Sequence, residues 1–226
     1  MCPVFSQETQ IAAGGADFTR GEALFMQNKP GEALPFLEKA FVLNQENVDG
    51  ALYLAMCYEQ LEKLDEAVTI YRKILPLGGE KTALIACNLG NIYFKKGSSS
   101  FAEQYYTQAI RSDPSYSSAW LNRANARVKT GSLRDAIPDY EHYLRLVPSS
   151  PKRPQIEKLI SLIQEEFAAE EIRRLMAEEA AHAEAERRQR LIDEVSASLQ
   201  AQADEAEGIA AGAEDLTGYK NEFELE

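Results

Sequence analysis

Thr82-Ala-Leu-Ile-Ala-Cys-Asn-Leu-Gly-Asn-Ile-Tyr-Phe-Lys-Lys-Gly97, followed closely by Phe101-Ala-Glu-Gln-Tyr-Tyr-Thr-Gln-Ala-Ile110, decides how this chain folds. In the first segment Leu89 and Tyr93 are four apart and share one helical face. Gly90 is the small residue where two helices approach closely, and Gly97 suits a left-handed C-cap. In the second segment Ala102, Tyr106 and Ala109 form one stripe, and Pro114 stops the helix. The stretch predicts a helix pair.

Outward from it, the pattern returns. Ala33 and Ala67 are 34 residues apart, Ala102 follows at 35 and Ala136 at 34. Twelve positions before these alanines stand Gly21, Ala55, Gly90 and Ala124, and four positions after them Leu37, Tyr71, Tyr106 and Tyr140. A period of this length means stacked supersecondary units. Such a stack presents an extended binding surface. The fourth unit has Trp120, Ala124 and Gly131 in its first helix, then Ala136, Tyr140, Tyr143 and a closing Pro148. The second has Leu54, Ala55 and Tyr58, then Ala67, Tyr71 and Ile74, with the extra residue placed at Gly78-Gly79. The first, with its Asn28-Lys29-Pro30-Gly31 turn, is the most divergent, as terminal repeats usually are.

This series of small residue, tyrosine, glycine, alanine, aromatic, alanine and proline resembles the tetratricopeptide repeat family over residues 14–150. The third and fourth units match nearly throughout, whereas the first two lack the closing proline. The resemblance implies an all-α solenoid of helix-turn-helix units at 14–47, 48–81, 83–116 and 117–150, curved into a short right-handed arc. It implies a non-enzymatic scaffold or adaptor that binds a protein or an extended peptide. It also implies that the first helix of each pair lines the concave face. There the third unit offers Asn88, Asn91 and Lys95, and the fourth Asn122, Asn125 and Lys129. Their spacing keeps each trio on one face. Asparagine both donates to and accepts from a peptide backbone, and the lysines suit an acidic segment or a C-terminal carboxylate. Asparagine is also frequent at these places across the family, so descent without ligand contact is the competing reading. Asn122-Arg123-Ala124 resembles a stretch of the co-chaperones that clamp acidic chaperone tails. The other positions of that clamp hold Phe18, Glu22, Tyr53 and Cys87, so such a clamp is not expected. Glu22, Asp49 and Glu59 make the opposite end of the face acidic.

The chain has 226 residues, 24 basic against 36 acidic, for a net charge of −12. Up to residue 150 there are 15 basic and 17 acidic residues; from 151 onward there are 9 and 19. The repeats are nearly neutral and the C-terminal third carries the charge. That balance disfavours nucleic acid, which needs a basic patch. There is no apolar run long enough for a transmembrane helix. The N-terminus, residues 1–13, reads as disordered. Without a complete signal peptide the default compartment is the cytoplasm. The alternative, an exported or periplasmic protein, treats Cys2-Pro-Val-Phe-Ser-Gln7 as the end of a truncated signal or Cys2 as a lipoprotein start. Cys57 and Cys87 fall inside helical repeats and read as buried free thiols.

Beyond Pro154, Ile156, Leu159, Ile160, Ile163 and Phe167 recur at helical spacing, which predicts a capping helix over 151–176. A charged helix over 177–207 follows; Glu170–Arg174 just before it, and Glu184–Arg188 and Glu186–Arg190 within it, are spaced by four. Leu191, Val195 and Leu199 form a short apolar stripe. Either this helix projects freely or the stripe meets another chain; a homo-oligomer is open but not favoured, because sustained heptads are absent. Gly208 and Gly212 are expected to break the helix and open a flexible acidic tail over 208–226, with Tyr219, Phe223 and Leu225 among acids. The tail reads either as a second docking peptide or as a solubilising segment. Folding back onto Lys95 and Lys129 is a further option. No catalytic, cofactor or metal site is expected. The chain has only His142 and His182, and a single Glu179-x-x-His182 lacks the second motif that a carboxylate-bridged metal needs. The alternative function is a structural subunit of a larger, envelope-associated assembly that self-associates through its C-terminal helix.

Overall fold

A computed structural model describes residues 7–216, with side-chain surroundings for 14–206. The described residues are α-helical apart from short turns. The order is α1 Gln7–Met26, α2 Pro30–Leu43, α3 Val48–Gln60, α4 Leu64–Ile74, α5 Thr82–Lys95, α6 Ser99–Ser112, α7 Ser117–Thr130, α8 Leu133–Leu146 and α9 Arg153–Leu216. Helices α1 to α8 are the four pairs that the alanine period predicts. Ala33, Ala67, Ala102 and Ala136 are all fully buried, as is Ala55, because a larger side chain would hold the paired helices apart. Gly90 shows how close that approach is. A Cβ there would lie 2.5 Å from Tyr106 Cε1, so α5 and α6 touch through a bare backbone.

Each pair turns on a residue at positive φ: Asn28, Glu62, Gly97 and Gly131, with φ of 59°, 59°, 80° and 81°. The extra residue of the period falls between α4 and α5, where two short 3₁₀ turns, Leu75–Leu77 and Gly79–Lys81, join the second and third pairs. The chain divides into two compact units at Ile163. The first holds the eight paired helices and the opening of α9, whose Ile156 and Ile163 are buried. Ile156 packs with Leu121, Ala124, Tyr140 and Leu144, so this segment covers the apolar side of the fourth pair.

The second unit, from Gln164, is helical through Leu216. Ile172, Leu175, Met176, Leu191, Ile192, Val195 and Leu199 are all exposed there. Arg190 pairs with Glu186 as its spacing predicts, while Arg174 turns to Glu171 and Glu178. Two sequence expectations change. Helix α1 begins at Gln7, inside the segment expected to be disordered, because Gln7 to Ala13 includes no glycine or proline to oppose a helix. Helix α9 continues through Gly208 and Gly212 to Leu216. Each glycine costs a helix only about 1 kcal/mol against alanine, and their neighbours are good helix formers.

Candidate functional site

The first helices α5 and α7 carry the candidate asparagines, and two depressions open along them and α3. One, of about 380 Å³, is lined by Met56, Glu59, Gln60, Glu62, Asn88 and Lys95. The other, of about 120 Å³, is lined by Asn91, Phe94, Tyr106, Asn122 and Asn125.

The asparagines are held by tyrosines of the second helices. Tyr106 Oη donates to Asn91 Oδ1 at 3.0 Å, and Tyr140 Oη donates to Asn125 Oδ1 at 2.7 Å. The two contacts span the same separation in sequence, so the repeat itself reproduces them. In the second pair the corresponding position is Met56, which has no amide oxygen to accept the bond. Tyr71 Oη there donates to Glu59 at 3.4 Å and accepts from Asn88 Nδ2 at 3.1 Å. In the first pair Leu37 stands in the tyrosine's place. Asn122 Nδ2 donates to Asn91 Oδ1 at 2.9 Å and joins the third repeat to the fourth. Accepting fixes the amides of Asn91 and Asn125 with their Nδ2 groups unused among the described residues. Burial pushes the Tyr71, Tyr106 and Tyr140 hydroxyls up in pKa, so all three remain protonated donors. Burial also raises the Glu59 carboxyl above the ordinary carboxylate value.

The two candidate lysines differ. Lys95 Nζ pairs with Glu62 at 2.6 and 2.7 Å. Lys129 Nζ lies 4.8 Å from the centroid of the Phe94 ring and forms no ion pair with a described residue. Glu22 accepts from Tyr53 and raises that hydroxyl's pKa, so the acidic end of the face is also partly engaged.

Sequence reasoning did not find Asp139. It is almost fully buried and receives a bidentate pair from Arg123, Nε at 2.8 Å and Nη2 at 2.7 Å, and a third bond from Arg127 at 3.0 Å. Arg123 also donates to Thr107, and Arg127 to Glu103. This network ties α6, α7 and α8 together. It commits Arg123 to structure. The available signal was Asp139 itself, a carboxylate on the stripe side of α8 beside Tyr140.

Cys57 and Cys87 are buried free thiols, pushed by burial up to about 11 and about 12. As protonated thiols they are poor nucleophiles. Among the described residues no His, Cys, Asp and Glu cluster could hold a metal ion. No described helix is long and apolar enough to cross a membrane. His182 and Glu186 face each other at 3.5 Å on an exposed surface. Tyr219, Phe223 and Leu225 lie outside the described residues.

Two family models described as tetratricopeptide repeat match residues 48–115 and 87–151. Protein FlbA of Caulobacter vibrioides is 28% identical over 132 residues, covering 58% of this chain and 22% of that protein. The chain thus spans less than a quarter of that relative's length. Among solved structures, MamA superposes with a TM-score of 0.59 at 20% identity, over 66% of this chain and 84% of its own. YrrB, described as a TPR protein with an unusual peptide-binding site, gives 0.57 at 19% identity, over 69% and 76%. Both likenesses are of fold.

Proposed function

Because the chain belongs to the tetratricopeptide repeat family, we propose that it is a non-enzymatic interaction scaffold holding an extended peptide along α3, α5 and α7. The observation that carries this reading is the pair of tyrosine-fixed amides. Asn91 and Asn125 have their Oδ1 atoms occupied, which leaves two oriented NH2 groups for carbonyl groups of a peptide backbone. Pre-orientation lowers the ordering cost of binding. That YrrB shares the fold and has a peptide-binding site supports the same reading. Asn88 and Asn122 brace the groove, their Nδ2 groups donating to Tyr71 and Asn91. Tyr219, Phe223 and Leu225 supply a second docking element on the same protein.

The experiment is a selection of random peptides on the full chain, followed by affinity measurement of the enriched peptide on Asn91→Ala with Asn125→Ala. The reading expects a loss of about tenfold or more from two lost hydrogen bonds, with folding retained. Unchanged affinity contradicts it.

A second reading rests on Leu191, Val195 and Leu199, which are 54%, 57% and 61% exposed on one stripe of the second unit. In it the chain is an assembly subunit that pairs through this stripe. Sedimentation of the full chain and of Leu191→Gln with Leu199→Gln separates the two. A concentration-dependent dimer that the variant abolishes favours the subunit, and a monomer throughout favours the scaffold.

A further inference from the structure

The seam between the second and third repeats is closed by two ion pairs. Lys95 holds Glu62 at 2.6 Å, and Lys96 pairs with Asp65. The alanine register carries these positions onto the next seam. Lys129 stands where Lys95 does and Thr130 where Lys96 does, while Gly97 stands where Glu62 does and Ser100 where Asp65 does. One cation is kept and both carboxylates are gone.

A depression of about 400 Å³ occupies that place, lined by residues 97–101 with Lys129 and Thr130. It sits at the start of α6, a helix of 14 residues with no acidic side chain in its first turn and no side-chain cap. The first-turn N–H groups and the positive end of the helix dipole favour an anion there. Ser99, one of the lining residues, is 7% exposed, and its Oγ is buried without a hydrogen-bond partner. Phe94, beneath the Lys129 ammonium, also lines the Asn91–Asn125 depression, so the two places adjoin.

We propose that this depression takes a carboxylate side chain, aspartate or glutamate, of the peptide held in the groove, in the place that Glu62 fills at the preceding seam. The inference rests on the groove reading above and adds a charge requirement to it. The ligand's carboxylate meets Lys129, the Ser99 hydroxyl and the first-turn amides of α6. Binding therefore prefers acidic peptides although the chain itself carries −12.

The test uses the full ¹⁵N-labelled chain with three probes: a decapeptide alternating Glu and Ser, its Gln-for-Glu counterpart, and inorganic phosphate. The Glu peptide is expected to shift the amides of Ser99, Ser100 and Phe101 and to bind at least about fivefold more tightly than the Gln peptide, the scale of one partly screened ion pair. Lys129→Gln and Gly97→Glu each remove that preference. Gly97→Glu does so by restoring the chain's own carboxylate on a backbone that Glu62 already adopts. Lys39→Gln, whose exposed ammonium pairs with Asp17 in the first repeat, leaves it intact. Equal binding of the two peptides overturns the proposal, as does a Lys129→Gln variant that keeps the preference. Phosphate shifting the same amides as strongly as the peptide overturns the assignment to a peptide carboxylate. If the Glu peptide shifts Asn91 and Asn125 but not the α6 amides, this inference fails and the groove stands. If it shifts neither set, this inference fails, and the groove is decided separately by the selected peptide.

Discussion

Tyr140 Oη donates to Asn125 Oδ1 at 2.7 Å, from the second helix of the fourth repeat to the first. The bond uses the one acceptor of the side chain and leaves its two N–H donors aimed by the fold. Tyr140→Phe keeps the ring and removes the donor. We expect a stability loss of about 1 kcal/mol, the usual net worth of such a bond. Affinity for the selected peptide falls with it, because the Asn125 amide is free to turn. Binding and denaturant melts on the same variant check both effects; a stability loss without any loss of affinity refutes the positioning role.

Asp139 predicts a larger effect. Its carboxylate faces two guanidiniums, with a side chain 2% exposed against 12% for Arg123 and 18% for Arg127. Asp139→Ala strips the mostly buried Arg123 of its carboxylate and leaves Arg127 with Glu103 alone, at a cost of about 3–5 kcal/mol. Replacing Arg123 and Asp139 together by Met and Leu is much milder, because no buried charge is stranded. Urea unfolding of the single and double variants measures the difference.

Gly90→Ala tests the close contact of α5 and α6. With Tyr106 Cε1 2.5 Å from the added Cβ, the helices must part or the ring must move. The expected cost is about 1–3 kcal/mol, the range for overpacking a core. Gly15→Ala, with nothing within 4 Å of its Cβ, is the helix control and is neutral or stabilising.

The buried thiols set an alkaline limit. Their ordinary value is 9.0, and in the fold Cys57 rises to about 11 and Cys87 to about 12. Below pH 9 both states hold these protons and stability is unaffected. Between pH 9 and about 12 the unfolded chain releases protons that the folded chain keeps, so stability falls as pH rises. Cys57→Ala with Cys87→Ala flattens that slope. At pH 8 iodoacetamide modifies neither thiol in the folded chain and both in urea, read by mass spectrometry.

The repeats were legible because each repeat alanine is fully buried and its spacing is a packing requirement. The face bearing Asn91 and Asn125 was legible for the same reason. Which of their atoms are free was not, since the decisive tyrosines lie on other helices. Lys95 and Lys129 look alike in local sequence. Their difference is Glu62 against Gly97 in the preceding repeats, a signal visible only when the repeats are aligned with one another. The helix ends at Gln7 and Leu216 are not legible in the sequence because end residues are set by small propensity differences.

The central claim is that the peptide lies along α3, α5 and α7. A photo-crosslinking residue at Gln60, which lines the larger depression, or at the exposed Arg111 on α6 tests it directly in the full chain. The account predicts that the selected peptide crosslinks from Gln60 and not from Arg111. Crosslinking from Arg111 with Gln60 silent contradicts it.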